Sequence, residues 1–421
     1  MGSTVIAIPD GEAVAPVPKE KKRFRESLLL VVSFLREKKN KHDTKKLIHS
    51  IKVGIALVLV SLLYLLDPLY KQVGENAMWA IMTVVVIFEF FAGATLSKGL
   101  NRGLGTILGG GLGCLAAAFA QEVGGVGDAI VVGTSVFVFG AAATYSRLVP
   151  RIKKRYDYGV MIFILTFNLV VVSGIRAEEV LQLARERLTT IVLGFSVCIF
   201  TSLLVFPIWA SDELHDSVAS KFEDLASSIE GCFEEYFRLV NEKDNQPSFS
   251  FSRCKTVLHS KSKDESLVNF ARWEPWHGKF GFSSPWARYL KIGENLRDVA
   301  ATILSFKGCL QSDRQTSQTL RELIKEPCEE VGSSLAWTLR ELGDSMKKMR
   351  RCQTVTSIMP KLKSMRQELS LVMSPSTLGL LENGDGLEIA SFLFTVTVMV
   401  DKVEELTKEV EELGELAHFH V

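Results

Sequence analysis

Six long apolar stretches fill the first half of this sequence, near residues 48–66, 77–95, 102–120, 129–146, 157–175 and 187–209, with short connections between them. A helix that crosses a bilayer needs about 20 mostly apolar residues, and all six come close to that length. The second, IMTVVVIFEFFAGAT, and the fifth, GVMIFILTFNLVVVSG, are the clearest. The third, GLGTILGGGLGCLAAAFA, is glycine-rich and only mildly apolar. The fold class they predict is an all-α membrane protein with six transmembrane helices per subunit.

Charge divides the chain further. The whole sequence carries 49 basic and 48 acidic side chains for a net +1, which excludes a strongly basic nucleic-acid binder. That sum hides a segregation. Residues 1–46 carry 11 basic and 6 acidic groups, residues 47–210 carry 12 and 9, and residues 211–421 carry 26 and 33. The predicted organisation follows: a basic cytosolic N-terminal segment (1–46), a six-helix transmembrane domain (47–210) and a cytosolic helical domain (211–421).

Loop charge sets the orientation. Residues 19–46 bring 11 basic side chains to the first span, and Arg147, Arg151, Lys153, Lys154 and Arg155 follow the fourth. The loop after the third span holds only Glu122 and Asp128 as charges. The positive-inside rule therefore places both termini in the cytosol. The polar first 46 residues predict no cleaved leader.

After Pro207-Ile208-Trp209 the pattern becomes amphipathic helix. Helical spacing is read over residues 212–240, with Ser211 as N-cap, and again over 253–273, 286–310, 329–351, 360–372 and 388–416. Residues 241–252 and 374–386 read as loops. The seven cysteines form no C-x-x-C pair, so neither a disulfide nor a metal site is expected. Enzyme motifs are absent, and no cofactor is expected.

Charged residues at membrane depth carry the functional reading. They are Lys52, Glu89, Lys98, Arg102, Arg176, Arg185 and Arg187. A charge at the bilayer centre costs about 2.5–3.5 kcal/mol, so each needs a partner, a watery path or a place near the surface. Lys98 and Arg102 are four apart, on one face if helical, where the second span turns into the third. Alone they read as ordinary interfacial cations. The amphipathic run EEVLQLARER before Leu188 predicts that the sixth helix begins early, with Arg187 two to three turns inside it. Basic groups then enter from the third and sixth spans, and a pore lined by arginine selects anions. Glu89 has two readings, a structural ion pair with a pore arginine or Lys52, or a proton relay. The overlapping G-x-x-x-G spacings of residues 99–113 predict close helix packing, including packing across a dimer.

Four blocks carry a resemblance: AMWAIMTVVVIFEFFAGATLSKGLNRGLGT (77–106), YDYGVMIFILTFNLVVVSG (156–174), FPIWASDELH (206–215) and ARWEPWHGKF (271–280). They resemble the plant aluminium-activated malate transporters over residues 43–310. The resemblance implies a homodimeric anion channel in the lipid bilayer, with its pore at the homodimer axis, that passes malate and variously chloride, nitrate or sulfate. It implies basic pore residues at Arg102 and Arg187, with Lys98 sharing the path, and it marks Trp273, Glu274 and Pro275 as a cytosolic motif. We read that motif as a packed corner between helices. Gln182 and Lys71-Gln72 stand where aluminium-responsive members use acids, which argues against aluminium activation. A plasma-membrane location is expected, the vacuolar membrane being the alternative. Two other function classes stand beside the channel: a proton-coupled organic-anion carrier, which would cycle a proton on Glu89, and a membrane-anchored scaffold.

Overall fold

Residues 77–95, read as one span, are broken at Phe88–Phe91 in the computed structural model, and that break sets the geometry of the first half. The structure describes residues 41–66, 77–174, 180–238, 250–278, 280, 284–310, 318–352, 355–372 and 385–420. Most of the basic N-terminal segment, Lys71, Gln72, Arg176, Glu178 and most of both predicted loops lie outside the described residues.

The first half forms α1 (Lys41–Leu65), α2 (Ala77–Ile87), α3 (Ala92–Val123), α4 (Val126–Leu148), α5 (Pro150–Gly174) and α6 (Val180–Leu204). Phe91 adopts extended backbone as the N-cap of α3. Thr95 closes the turn: its hydroxyl accepts from the Glu89 N–H at 3.0 Å and donates to a carbonyl. Lys98 and Arg102 therefore sit inside α3, a turn or more past the connection, rather than at the turn between two spans. Among the described residues four helices are long and apolar enough to cross a membrane, and the apolar segment Met78–Ile87 is shorter. The first predicted span, 48–66, lies within α1 except for Leu66.

Small residues let these helices approach. A Cβ on Gly109 would stand 2.7 Å from the Phe163 carbonyl oxygen, and one on Gly113 3.0 Å from the Val170 side chain. Glycines 105, 109 and 113 thus pack against α5 of the same chain. Gly103 and Gly111 meet nothing in the chain. Outward-facing Leu104, Leu108, Phe137 and Tyr145 are all more than half exposed, an apolar surface larger than water-facing helices carry.

The second half forms α7 (Ala210–Phe237), α8 (Ser252–Leu258), α9 (Lys261–Ala271), α10 (Trp286–Leu310), α11 (Gln318–Lys348), α12 (Val355–Val372) and α13 (Asp385–Leu416). One continuous apolar core joins them, from Ala210 to Phe419. Its aromatic centre stacks Tyr236 on Phe392 with ring centroids 3.8 Å apart. The predicted helix 253–273 is two helices, interrupted at His259–Ser260. Ser211 is not an N-cap: Trp209 holds that position and Ser211 lies in the first turn of α7. Among the described residues no strand occurs, only isolated bridges.

The two halves touch. The Ala92 N–H donates to the Ile208 carbonyl at 3.1 Å, Phe91 packs on Phe270, and Lys45 Nζ meets Glu213 at 2.7 Å. The start of α3 is thus fixed against the start of α7.

Candidate functional site

Two buried arginines share one cleft. Arg102 comes from α3 and Arg187 from α6, and each is 7% exposed. The walls are Trp79 of α2, Thr106 of α3, Ile162 and Thr166 of α5, and Ile191 of α6. The enclosed space is about 10 Å³, roughly one water. Glycine again brings the helices together. A Cβ on Gly194 would stand 2.7 Å from the Ala80 carbonyl oxygen, so α6 lies close on α2. That approach sets the Trp79 indole against Arg187, whose guanidinium carbon is 3.9 Å from the ring centroid. Arg187 lies about two turns after Val180, as the early start of the sixth helix predicts.

The cleft is short of acceptors. Arg102 donates from Nη1 to the Tyr158 hydroxyl at 3.2 Å. Its Nε and the Thr106 hydroxyl are buried without a hydrogen-bond partner among the described residues. Among the described residues no carboxylate lines the cleft. Two buried like charges with an orphaned donor are unfavourable in themselves. A small anion would satisfy both guanidiniums through their paired N–H groups.

The other candidates fall in three places. Lys98 forms an ion pair with Glu89 and lies 5.9 Å from the Tyr158 ring centroid. Tyr158 therefore joins Lys98 to Arg102. Glu89 meets neither Lys52 nor a cleft arginine, because the break at Phe88–Phe91 turns it toward Lys98. Lys52, fully buried, donates to the Ser202 carbonyl at 3.2 Å. That carbonyl belongs to the last turn of α6, where helix carbonyls lack partners and a cation is favoured. Ser202 is 15 residues beyond Arg187, roughly 22 Å along the helix axis, so Lys52 is a capping cation remote from the cleft. Arg185 is exposed, and Arg176 lies outside the described residues.

The motif Trp273-Glu274-Pro275 forms a corner between helices. Glu274, 2% exposed, accepts from the N–H of Ala210 at 2.6 Å and of Ser211 at 3.1 Å, and from the Ser211 hydroxyl at 2.7 Å. It supplies the cap that α7 lacks from its own N-cap side chain. His277 extends the corner, stacked on Trp209 at 3.8 Å. Its Nδ1 lies 2.7 Å from the Pro275 carbonyl oxygen. A carbonyl only accepts, so Nδ1 carries a proton.

Sequence reasoning missed Trp79, Thr106, Tyr158 and Thr166. Trp79 and Tyr158 stand inside the blocks quoted above, but no periodicity separates a cleft-lining aromatic from a lipid-facing one.

Comparison with known proteins gives the family. The family model described as aluminium activated malate transporter matches residues 38–415. Aluminum-activated malate transporter 12 of Arabidopsis thaliana is 48% identical over 313 residues, 74% of this chain and 56% of its own length. Transporter 2 of the same plant is 40% identical over 386 residues, 90% of this chain and 76% of its own. Aluminum-activated malate transporter 1 of Triticum aestivum is 36% identical over 402 residues, 90% of this chain and 84% of its own. The chain spans 56% of transporter 12 and 59% of transporter 14. With a match running from residue 38 to residue 415, the chain belongs to the aluminium-activated malate transporter family.

Proposed function

We propose that the chain is a passive anion channel that conducts malate and the inorganic anions chloride, nitrate and sulfate through an arginine-lined pore. The observation that carries this reading is the pair Arg102 and Arg187, two buried guanidiniums from different helices on one cleft that no carboxylate lines among the described residues. Lys98 extends the cationic path by one turn of α3. The relatives named above are malate transporters by name, which supports malate as a substrate.

The architecture in this proposal is a homodimer with six spans per subunit, residues 47–210, a cytosolic domain, residues 211–421, and the pore on the dimer axis. The outward apolar side chains of α3 and α4 suit lipid or a second subunit. The basic run after α4 supports a cytosolic position for both termini in this proposal, and the location proposed is the plasma membrane. The carrier alternative draws on Glu89, which does not line the cleft and is engaged by Lys98.

Voltage-clamped oocytes expressing the full chain test the proposal. Currents should reverse near the anion equilibrium potential when malate, chloride, nitrate and sulfate are substituted in turn. Arg102→Ala and Arg187→Ala should cut conductance at equal surface expression. Unchanged conductance and selectivity in both variants would remove the pore assignment, and flux tied strictly to proton movement would favour the carrier.

A further inference from the structure

A second cleft lies where the first turns of α5 meet α9 and α10. Arg151 and Arg155 enter it from α5 and Arg272 from the C-cap of α9. Val268 and Leu290 form an apolar wall, and the volume is about 310 Å³. Glu265 is the acid of the lining, so three guanidiniums face one carboxylate.

Nothing in local stability calls for this clustering. Arg151 and Arg155 are four apart on one helix, a spacing at which like charges repel. They also occupy the N-terminal turns of α5, the positive end of its dipole, where cations are disfavoured. Its first turn holds no acid. Among the described residues none of the three guanidiniums forms an ion pair. The Arg155 guanidinium carbon instead lies over the Trp273 ring, 5.6 Å from its centroid, and the Arg155 carbonyl accepts from Asn101 Nδ2 at 3.2 Å.

The position identifies the ligand chemistry. α4 ends at Leu148, and the apolar window of α5 begins at Arg155, so the cleft stands at the level where apolar helix gives way to polar surface. This rests on the orientation proposed above, in which this level faces the cytosol, and basic pockets there suit phosphorylated headgroups. Guanidinium forks pair bidentately with phosphate oxygens, and the cleft is far roomier than the one between Arg102 and Arg187. We propose that Arg151, Arg155 and Arg272 bind a multiply phosphorylated anion of the phosphoinositide headgroup class. Asn101 immediately precedes Arg102, so a ligand ordering Arg155 would also restrain the helix that carries the cleft arginine. The site would then be regulatory rather than conductive.

The full chain in phosphatidylcholine nanodiscs tests this by direct binding, with no current required. The probes are phosphatidylinositol bisphosphate in the disc and soluble inositol trisphosphate. Binding of the lipid alone assigns the site to a headgroup in the bilayer; binding of the soluble probe as well assigns it to phosphorylated anions from either source. Both outcomes support the proposal. Joint substitution Arg151→Gln, Arg155→Gln and Arg272→Gln should weaken binding at least about tenfold. Removing the same charge through Lys255→Gln, Lys307→Gln and Lys347→Gln, outside the cleft, should leave it near wild type. Asn269→Trp fills the cleft without altering charge and should also abolish binding, which covers the case of an unfolded triple variant. Failure of both probes to bind, or equal binding by the Asn269→Trp protein, overturns the proposal.

Discussion

The guanidinium carbon of Arg187 lies over the indole of Trp79, 3.9 Å from the ring centroid. A desolvated contact of this kind is worth about 0.5–2 kcal/mol, and it fixes which way the Arg187 N–H groups point. Trp79→Leu keeps the volume apolar and removes the ring face. Anion current at equal surface expression should fall several-fold, roughly five- to thirtyfold for a loss of 1–2 kcal/mol. Arg187→Lys should fall too, since an ammonium retains charge but not the planar fork. Wild-type current and selectivity in Trp79→Leu would show that the stacking has no part in conduction.

Tyr158 is placed between two cations. Its hydroxyl accepts from Arg102 Nη1 at 3.2 Å, and its ring lies near Lys98. Tyr158→Phe removes one hydrogen bond to a charged donor, about 1.5–3 kcal/mol, and leaves the packing. We expect apparent malate affinity to weaken by about tenfold with little change in melting temperature. Malate titration of the current checks the first part and thermal melting of purified protein the second. An unaltered malate titration would mean that Arg102 needs no orienting partner.

The sequence carried the coarse plan because the strongest signals in it are periodic or cumulative. Long apolar runs and the switch at Pro207 located the helices of both halves, and Arg102 and Arg187 stood out as charges in apolar surroundings. The break at Phe88–Phe91 is hidden in the sequence, since it carries no proline or glycine, and the hydrogen bond that closes it comes from Thr95 further along the chain. The partner of Glu89, Lys98, depends on that break. Ser211 has the local features of a cap without being one. The group that caps α7 is Glu274, 63 positions away from Ser211 in sequence, which spacing rules cannot reach. Trp79 and Tyr158 were legible only as aromatic residues in apolar helices.

The glycines of α3 are not equivalent. A Cβ on Gly109 would meet the Phe163 carbonyl oxygen at 2.7 Å and the Phe167 nitrogen at 3.1 Å, whereas Gly111 faces open space. Backbone cannot yield as a flexible side chain does, so Gly109→Ala should destabilise by about 1–3 kcal/mol. Gly111→Ala should be neutral or slightly stabilising, as alanine is the better helix former. Melting of the two variants in one detergent decides it, and equal melting temperatures would contradict the packing of α3 on α5.

The outer face of the second half contains an acid-sensitive tie. Arg340 Nη2 donates to Glu230 Oε2 at 2.7 Å, and this hydrogen bond holds the Glu230 carboxyl below its ordinary 4.5. A folded value below the unfolded one stabilises the fold above the unfolded value, and the stabilisation is lost as pH falls through 4.5 toward the folded value. Wild-type protein should melt higher than Glu230→Gln at neutral pH, with the gap closing as the buffer is acidified through that window. A gap that stayed constant into strong acid would assign the difference to packing instead of charge.

Glu274 offers the most direct test of how α7 begins. Its carboxylate takes two N–H groups from the first turn of α7 and one hydroxyl, all from a site 2% exposed. Glu274→Ala leaves those donors buried and unpaired, at about 1–3 kcal/mol, or roughly 2–4 °C per kcal/mol for a unit of this size. Glu274→Gln retains the shape and one acceptor oxygen but turns an N–H₂ toward a donor, so it should lie between Glu274→Ala and wild type. Ser211→Ala removes only the hydroxyl and should be the mildest. The expected order of melting temperature, followed by tryptophan fluorescence of the full chain, is wild type, Ser211→Ala, Glu274→Gln, Glu274→Ala. The carboxylate is the common acceptor in all three bonds, so a Glu274→Ala protein as stable as Ser211→Ala would show that the first turn of α7 is satisfied by some other group.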